Sequence, residues 1–287
     1  MNANLIKLKG KPIEKLIETV SQGIGILYEP KRIRRKADAE AYRIEKIQEA
    51  QAKGLILKSD TEFEIIERAK ERLAFNEINR QVNLESIVQK SISHLGDSVS
   101  DEPVDEDWRT RYFNRAQDIS NEEMQEIWGK ILAEEITRPG KISFRTLDIL
   151  SNISKSEAKV FETACKLAFN HGMILKLNDE KNDLPQFGLS YNNLLMLRSA
   201  GLIYESDNLN VTFTPYKPED GVAFKIGDYK IMAYKPDTDK YVFDQIKFTP
   251  AGEELMNILD IDKNVEYIQF FVDSFNKDGM NIKIVKE

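Results

Sequence analysis

Up to about residue 170 apolar residues recur every three or four positions, and beyond it they alternate or cluster in short runs. That change of period predicts helices first and a small antiparallel sheet later. Pro12 sits where a first helical turn accepts proline, and Ile13, Leu16, Ile17, Val20, Ile24 and Leu27 follow as one stripe. Gly23 and Gly25 weaken the end of that helix, and Tyr28-Glu29-Pro30 breaks it. A charged helix is predicted from Lys31 to about Lys53, closed by Gly54, with a sparse seam of Ile33, Ala37, Ala41, Ile44 and Ile47. Thr61 with Glu64 has capping-box spacing, and the helical pattern behind it runs to about Leu95 and Gly96.

Residues 96–107 read GDSVSDEPVDED, with six acids and no base, and are the best linker candidate. Trp108, Tyr112, Phe113 and Ala116 then form an aromatic helical face. Ser120-Asn121-Glu122-Glu123 has capping-box spacing ahead of Met124, Ile127, Trp128, Ile131 and Leu132. A short helix is predicted over 143–153, and Ser154 with Glu157 opens the next one. Strands are predicted at 173–177, 202–204, 211–213, 222–226, 229–234 and 244–248, and near 281–285. Gly227-Asp228 joins two of them as a hairpin, and Ser190 caps a helix that ends at Gly201. Helices are also predicted after Pro250 and around 267–275.

The expected fold class is therefore α+β: an N-terminal helical arm, a helical middle, and a winged-helix-like C-terminal part with a small antiparallel sheet. The expected partition is a charged arm over 1–95, the acidic linker over 96–107 and the body over 108–287.

Composition narrows the function classes. The chain has 287 residues, 41% hydrophobic and 31% charged, which suits a folded protein of one or two domains. One cysteine, Cys165, excludes an intrachain disulfide framework, and two histidines, His94 and His171, leave little for His-based metal or triad chemistry. The formal net charge is −7, so no overall basic field marks a nucleic-acid binder. The charge is uneven: residues 1–58 hold 13 bases and 7 acids, a net +6, which leaves −13 for the remainder. No secretory leader and no apolar run of spanning length is visible, so a cytoplasmic location is expected, with the inner membrane face as the site of any peripheral contact.

Three constellations carry candidate chemistry. The first is the stripe over 13–27 beside the bases Lys31, Arg32, Arg34, Arg35 and Lys36. Such a pairing can lie on an anionic membrane surface, although packing against other helices is its commoner use. The second is the winged-helix-like order over about 154–260, whose recognition helix carries one base, Arg198. Its wing, 225–240, sets Lys225, Lys230, Lys235 and Lys240 against Asp228, Asp237 and Asp239, so the phosphate attraction expected of a DNA reader is weak. The third is Asp220, Asp228 and Lys230, which could hold a divalent ion and position water, but Asp228 already has a turn role. Cys165 falls on an apolar helix side, and both histidines sit near helix ends, where the dipole favours them. No catalytic residue, metal ligand or cofactor is assigned.

Lys11-Pro12-Ile13-Glu14-Lys15-Leu16-Ile17, Gly23-Ile24-Gly25, Tyr28-Glu29-Pro30-Lys31-Arg32-Ile33 and Lys36–Ala41 together resemble the N-terminal signature of bacterial abortive-infection alpha proteins. They also resemble a neighbouring bacterial family known only as a domain of unknown function. Trp128–Ala133, Ser143–Leu147 and Phe248–Leu255 are similar to the middle and end of that second family. The resemblance implies a link to phage defence and supplies no catalytic residues. The expected function is a non-catalytic defence or stress effector acting through protein or membrane contacts; a winged-helix nucleic-acid-binding protein is the alternative. Its expected partners are a second copy of the chain, another protein and an anionic membrane surface, ahead of nucleic acid.

Overall fold

The computed structural model describes residues 10–25, 62–176, 184–217, 220–236, 238–259, 261–277 and 281–286. Among them are nine α-helices and two three-stranded antiparallel sheets, with the sheets confined to the C-terminal part. The fold class is α+β. The chain divides into two compact units, Met1–Leu147 and Asp148–Glu287.

Unit 1 is helical. Helix α1 spans Lys11–Ile24 with Pro12 in its first turn, and it ends at Gly25 in the left-handed conformation. Leu16 and Val20 on its stripe are buried. Helix α2 spans Glu62–Ile92, α3 Glu106–Ala116 and α4 Glu122–Thr137. The expected cap at Ser120 is replaced by Asn121, whose side chain accepts from the Met124 backbone N–H at 3.0 Å. The predicted aromatic face is the centre of the core. Trp108 stacks on Tyr112 with ring centroids 4.9 Å apart, and Tyr112 leans on Trp128 at 5.2 Å. Both polar tips are satisfied: Trp108 Nε1 donates to the Ile142 carbonyl and Tyr112 Oη to the Trp128 carbonyl.

The acidic stretch 96–107 lies against this unit. The Ser100 N–H donates to the Thr137 carbonyl at 3.2 Å, and Val104 is buried. Asp105 caps α3 by accepting from the Trp108 N–H, and Asp101 pairs with Lys11. Acids at a helix start also suit its dipole.

Helix α5 spans Phe144–Asn152 and reaches into unit 2, where α6 spans Lys155–Leu167 behind the capping box of Ser154 and Glu157. Strand β1 is Met173–Leu175, a short 3-10 turn covers Leu184–Phe187, and α7 spans Tyr191–Ser199. Strand β2 is Leu209–Phe213, β3 Val222–Ile226, β4 Tyr229–Tyr234 and β5 Tyr241–Lys247. Helices α8, Pro250–Leu259, and α9, Val265–Lys277, precede β6, Asn281–Lys286. One sheet has the order β1-β5-β2 and the other β3-β4-β6. The predicted strand at 202–204 reduces to one bridge, Ile203 to Phe248.

Rings fill the core of unit 2. Phe213 meets Phe224 edge-on at 4.8 Å, Phe224 meets Phe243 at 5.3 Å, and Phe271 meets Phe275 at 4.8 Å. The Phe248-Thr249-Pro250-Ala251-Gly252 turn is pinned as α8 begins. Thr249 Oγ1 donates to the Gly201 carbonyl at 2.7 Å and lies 3.2 Å from the Gly252 N–H that donates to it. A Cβ at Gly252 would overlap the Leu202 carbonyl oxygen, so only glycine admits this approach.

Candidate functional site

The three sequence-derived constellations fare differently. The basic run Lys31, Arg32, Arg34, Arg35 and Lys36 lies outside the described residues. Asp220, Asp228 and Lys230 are described, and the hairpin keeps them from converging. Asp228 occupies the β3–β4 turn, whereas Asp220 precedes β3, beyond the Val222–Ala233 end of the ladder. At about 3.3 Å per residue the two carboxylates stand on the order of 20 Å apart along the strand. Among the described residues no group of three or more His, Cys, Asp or Glu is placed to hold a metal.

Cys165 is buried in α6, and burial pushes its thiol well above the usual range, so it is held as the unreactive protonated form. Lys263 donates to the Cys165 carbonyl at 2.8 Å, and its own burial lowers its pKa. His171 adopts a positive φ of 66° in the turn before β1, while Lys247 reaches both its carbonyl and Glu253. His94 Nε2 is 2.5 Å from Glu126 Oε1, with Lys90 at 3.6 Å from the same carboxylate. The His94 contact, foremost, holds Glu126 below the usual glutamate range.

The solvent face of α7 is mixed, with exposed Asn192 and Ser199 beside two apolar side chains. Tyr191 and Leu195 lie exposed one turn apart, and Arg198, its one base, is paired with Asp207. A helix reading a DNA groove needs donors on that face. This face sets a ring and a branched alkyl group beside Asn192 and Ser199, with its one base already paired, a mixed surface suited to protein contact.

The strongest charged feature is one that sequence reasoning missed. Register places alternate residues of β3, β4 and β6 on one face. The inner face holds Phe224, Ile226, Ile231, Ala233 and Ile282, all buried. The outer face holds Lys225 and Val285 on either side of Lys230, Ala223 and Lys283 on either side of Met232, and Tyr234 opposite Asn281. The face carries three bases and no acid. The count over 225–240 read as nearly neutral because it pooled strand lysines with loop and turn aspartates. The third base, Lys283, comes from a strand far along the chain, so no local window contains the set.

No helix among the described residues is long and apolar enough to cross a membrane. No curated protein and no solved structure matches the chain. Residues 67–272, well over half of the chain, match the model of a family described as a protein of unknown function, DUF2806. The segments that carried the resemblance to such a family, Trp128–Ala133, Ser143–Leu147 and Phe248–Leu255, all fall inside that match, and the chain belongs to the DUF2806 family.

Proposed function

We propose that this chain is a non-catalytic bacterial defence or stress effector that acts through protein contacts, beginning with a second copy of itself. The observation that carries the reading is the outer half of α2. Ile66 and Leu73 are 50% and 61% exposed there, whereas Ile87 and Val88 on the inner half are each 1% exposed. Ile66, Ala69 and Leu73 follow one another at three and four residues, the spacing of a helix-pairing seam. A short run of charged helix bearing an uncovered apolar seam is marginal alone in water.

Charge favours a second copy as the cover. Arg72 and Glu77 flank the seam five residues apart, the relation that sets opposite charges together across a parallel pair of identical helices. Within one chain Glu77 already meets Arg80 at 2.8 Å. The resemblance of the N-terminal segments to abortive-infection alpha proteins supplies the defence context and, with it, a cytoplasmic setting. The basic run Lys31, Arg32, Arg34, Arg35 and Lys36 is the proposed contact with an anionic membrane face.

The test joins assembly to protection. Light scattering on the full chain is expected to give a dimer, and Ile66→Glu with Leu73→Glu a monomer of unchanged helicity. Cells carrying that variant should lose protection in a phage challenge. A monomeric parent, or a dimer that survives both substitutions, removes the reading.

A second reading, a winged-helix nucleic-acid-binding protein, draws on one specific observation. The order β1-β5-β2, with α7 ahead of β2 and a hairpin between β2 and β5, suits a winged-helix unit. The uncharged face of α7 supports protein as the ligand of that unit. Tyr191→Ala with Leu195→Ala should then leave duplex binding unaltered and weaken capture of a protein partner.

A further inference from the structure

We infer that the turn at 141–145, with the side of α3 it faces, binds single-stranded nucleic acid: phosphates on Lys141 and Arg145, and a base stacked on the Arg111–Phe144 pair. The inference rests on neither the α2 seam nor the α7 face. Phe144 opens α5 and is 37% exposed, and Cζ of Arg111, from α3, lies 4.3 Å from the centre of its ring. Arg145 follows Phe144 directly and Lys141 precedes it by three residues, and all three bases are exposed. Among the described residues none of the three forms an ion pair. Two acids stand at the margin: Asp107, one turn before Arg111 on α3, and Asp148, one turn after Arg145 on α5, which has an interaction of its own. Ser143–Leu147, a segment that carried the family resemblance, thus sets a ring and a base at the surface and buries Thr146 and Leu147 beneath them.

The backbone that carries these groups is fixed from beneath. The buried Glu135 carboxylate accepts from the Gly140 and Ile142 N–H groups, and Trp108 Nε1 donates to the Ile142 carbonyl at 2.9 Å. Ser143 Oγ accepts from the Thr146 N–H at 3.3 Å. A buried carboxylate is costly unless its oxygens are hydrogen-bonded, and two of these bonds go to the turn. The surface groups therefore stand on a backbone ordered in advance, which lowers the ordering cost of binding.

The ring decides the kind of partner. An arginine held over an aromatic ring offers a splayed base a stacking surface that ignores sequence, and the flanking bases take the phosphates. A duplex hides its bases from that surface and would be engaged through phosphate alone. A carboxylate of an acidic peptide would meet the guanidinium at its edges and gain no stacking. An anionic bilayer calls for an apolar wedge, and the exposed neighbours Thr110, Asn114 and Gly140 add no large apolar side chain to Phe144. The marginal acids and the chain's net charge of −7 keep the attraction local, so the footprint is one short stretch of strand.

The experiment is fluorescence anisotropy with the full chain and a labelled polyuridine RNA of about 15 nucleotides, beside a DNA duplex of equal length, a polyglutamate peptide and phosphatidylserine vesicles. The parent is expected to bind the single strand. Lys141→Gln with Arg145→Gln should lower that affinity at least tenfold and flatten the slope of log affinity against log salt by about 1.4, roughly 0.7 for each phosphate. Phe144→Ala should weaken single-strand binding about tenfold at unchanged slope and leave duplex binding as it was. Arg111→Lys, which keeps the charge and loses the planar group, should do the same without removing the ring. Circular dichroism checks the fold of each variant. No binding of the single strand by the parent overturns the inference. So does binding that all the variants keep, duplex binding as tight as single-strand binding and indifferent to Phe144→Ala and Arg111→Lys, or a preference for the peptide or the vesicles. A dimer lost on Ile66→Glu with Leu73→Glu bears on the α2 seam and leaves this result standing.

Discussion

Unit 1 sets several buried polar groups around its Trp108-Tyr112-Trp128 cluster, whereas unit 2 closes its core around phenylalanine rings with Gln245 as its buried polar side chain among the described residues. In unit 1 the Glu135 carboxylate is fully buried in α4 and accepts from the Gly140 N–H at 2.7 Å and the Ile142 N–H at 3.0 Å. Asn83 donates from α2 to the Gln117 carbonyl after α3, and Gln125 donates to the Ile119 carbonyl. Each such bond fixes one helix or loop at one height on another, because a slip of a single turn would strand a buried donor or acceptor. Unit 2 sets its packing by ring geometry instead, through edge-to-face contacts that link β2, β3, β5 and α9. Helices that present similar leucine-like stripes need polar registers to choose among packings, whereas strands already have a ladder and need only volume.

The largest expected effect tests the ring core. Phe224 touches Phe169, Phe213, Phe243 and Phe271, so Phe224→Ala leaves a cavity at the point where both sheets and α9 meet. The expected loss is about 3–5 kcal/mol, read as a lowered denaturation midpoint in urea. A loss under about 1 kcal/mol, the scale of a surface change, would mean that the rings are filler and that the contrast between the units is false.

Glu135→Ala tests the polar side. It leaves the Gly140 and Ile142 amides buried without an acceptor, at about 1–3 kcal/mol each when both stay dry. Both tryptophans of the chain, Trp108 and Trp128, lie in unit 1, so their emission follows this unit's unfolding. Glu135→Gln keeps one acceptor oxygen and should lose less. Equal losses in the two variants would show that the turn needs both carboxylate oxygens, and that neither side-chain volume nor a single acceptor is enough.

Close approach gives a smaller, graded effect. A Cβ at Gly129 would sit 3.0 Å from the Lys90 Cβ and from the Ser91 nitrogen, where α4 lies against α2. A Cβ at Gly252 meets backbone that cannot give way. Gly252→Ala is therefore expected to lose about 1–3 kcal/mol and Gly129→Ala to fall at the lower end of that range, both read by thermal unfolding. The reverse order would put the tighter helix contact in unit 1.

Much of this architecture was legible because local chemistry decided it. The Ser154–Glu157 box and the Gly227-Asp228 hairpin stand where short-range rules put them. Ser120 was a defensible cap until Asn121, one residue on, took the Met124 N–H; adjacent cap formers compete, and the winner depends on where the entering backbone turns. Leu202–Tyr204 has strand composition but is drawn against the Phe248 turn, which leaves it a single bridge. Neither Glu135 nor the lysine face carried a local signal. A buried glutamate in α4 has the same helical neighbours as Glu134 on the surface side, and the partner of β4 at its second edge is β6, across the whole of α8 and α9. The acidic run looked like a linker by composition alone, since Val104 is its one deeply buried side chain.

The smallest expected effect lies at the exposed end of the polar scheme, where α2 and α4 meet through Glu126. The carboxylate faces the His94 ring at 2.5 Å and Lys90 at 3.6 Å, and the His94 contact holds it below the usual glutamate range. A group whose folded pKa is depressed contributes stability above its unfolded pKa, about 4.3 for glutamate, and loses it as pH falls through the lower folded value. Glu126→Gln should therefore lower the melting temperature at pH 7 slightly, and parent and variant should converge as pH falls through the lowered folded value and the parent's carboxylate is protonated. The side chain is 41% exposed, so water screens the pair and the difference at pH 7 is about a few tenths of a kcal/mol. The same gap above and below that value would show that Glu126 contributes through packing or through neutral hydrogen bonding. Its carboxylate would then join Glu135 as a positional device, and the distinction between buried and exposed acids in unit 1 would fail.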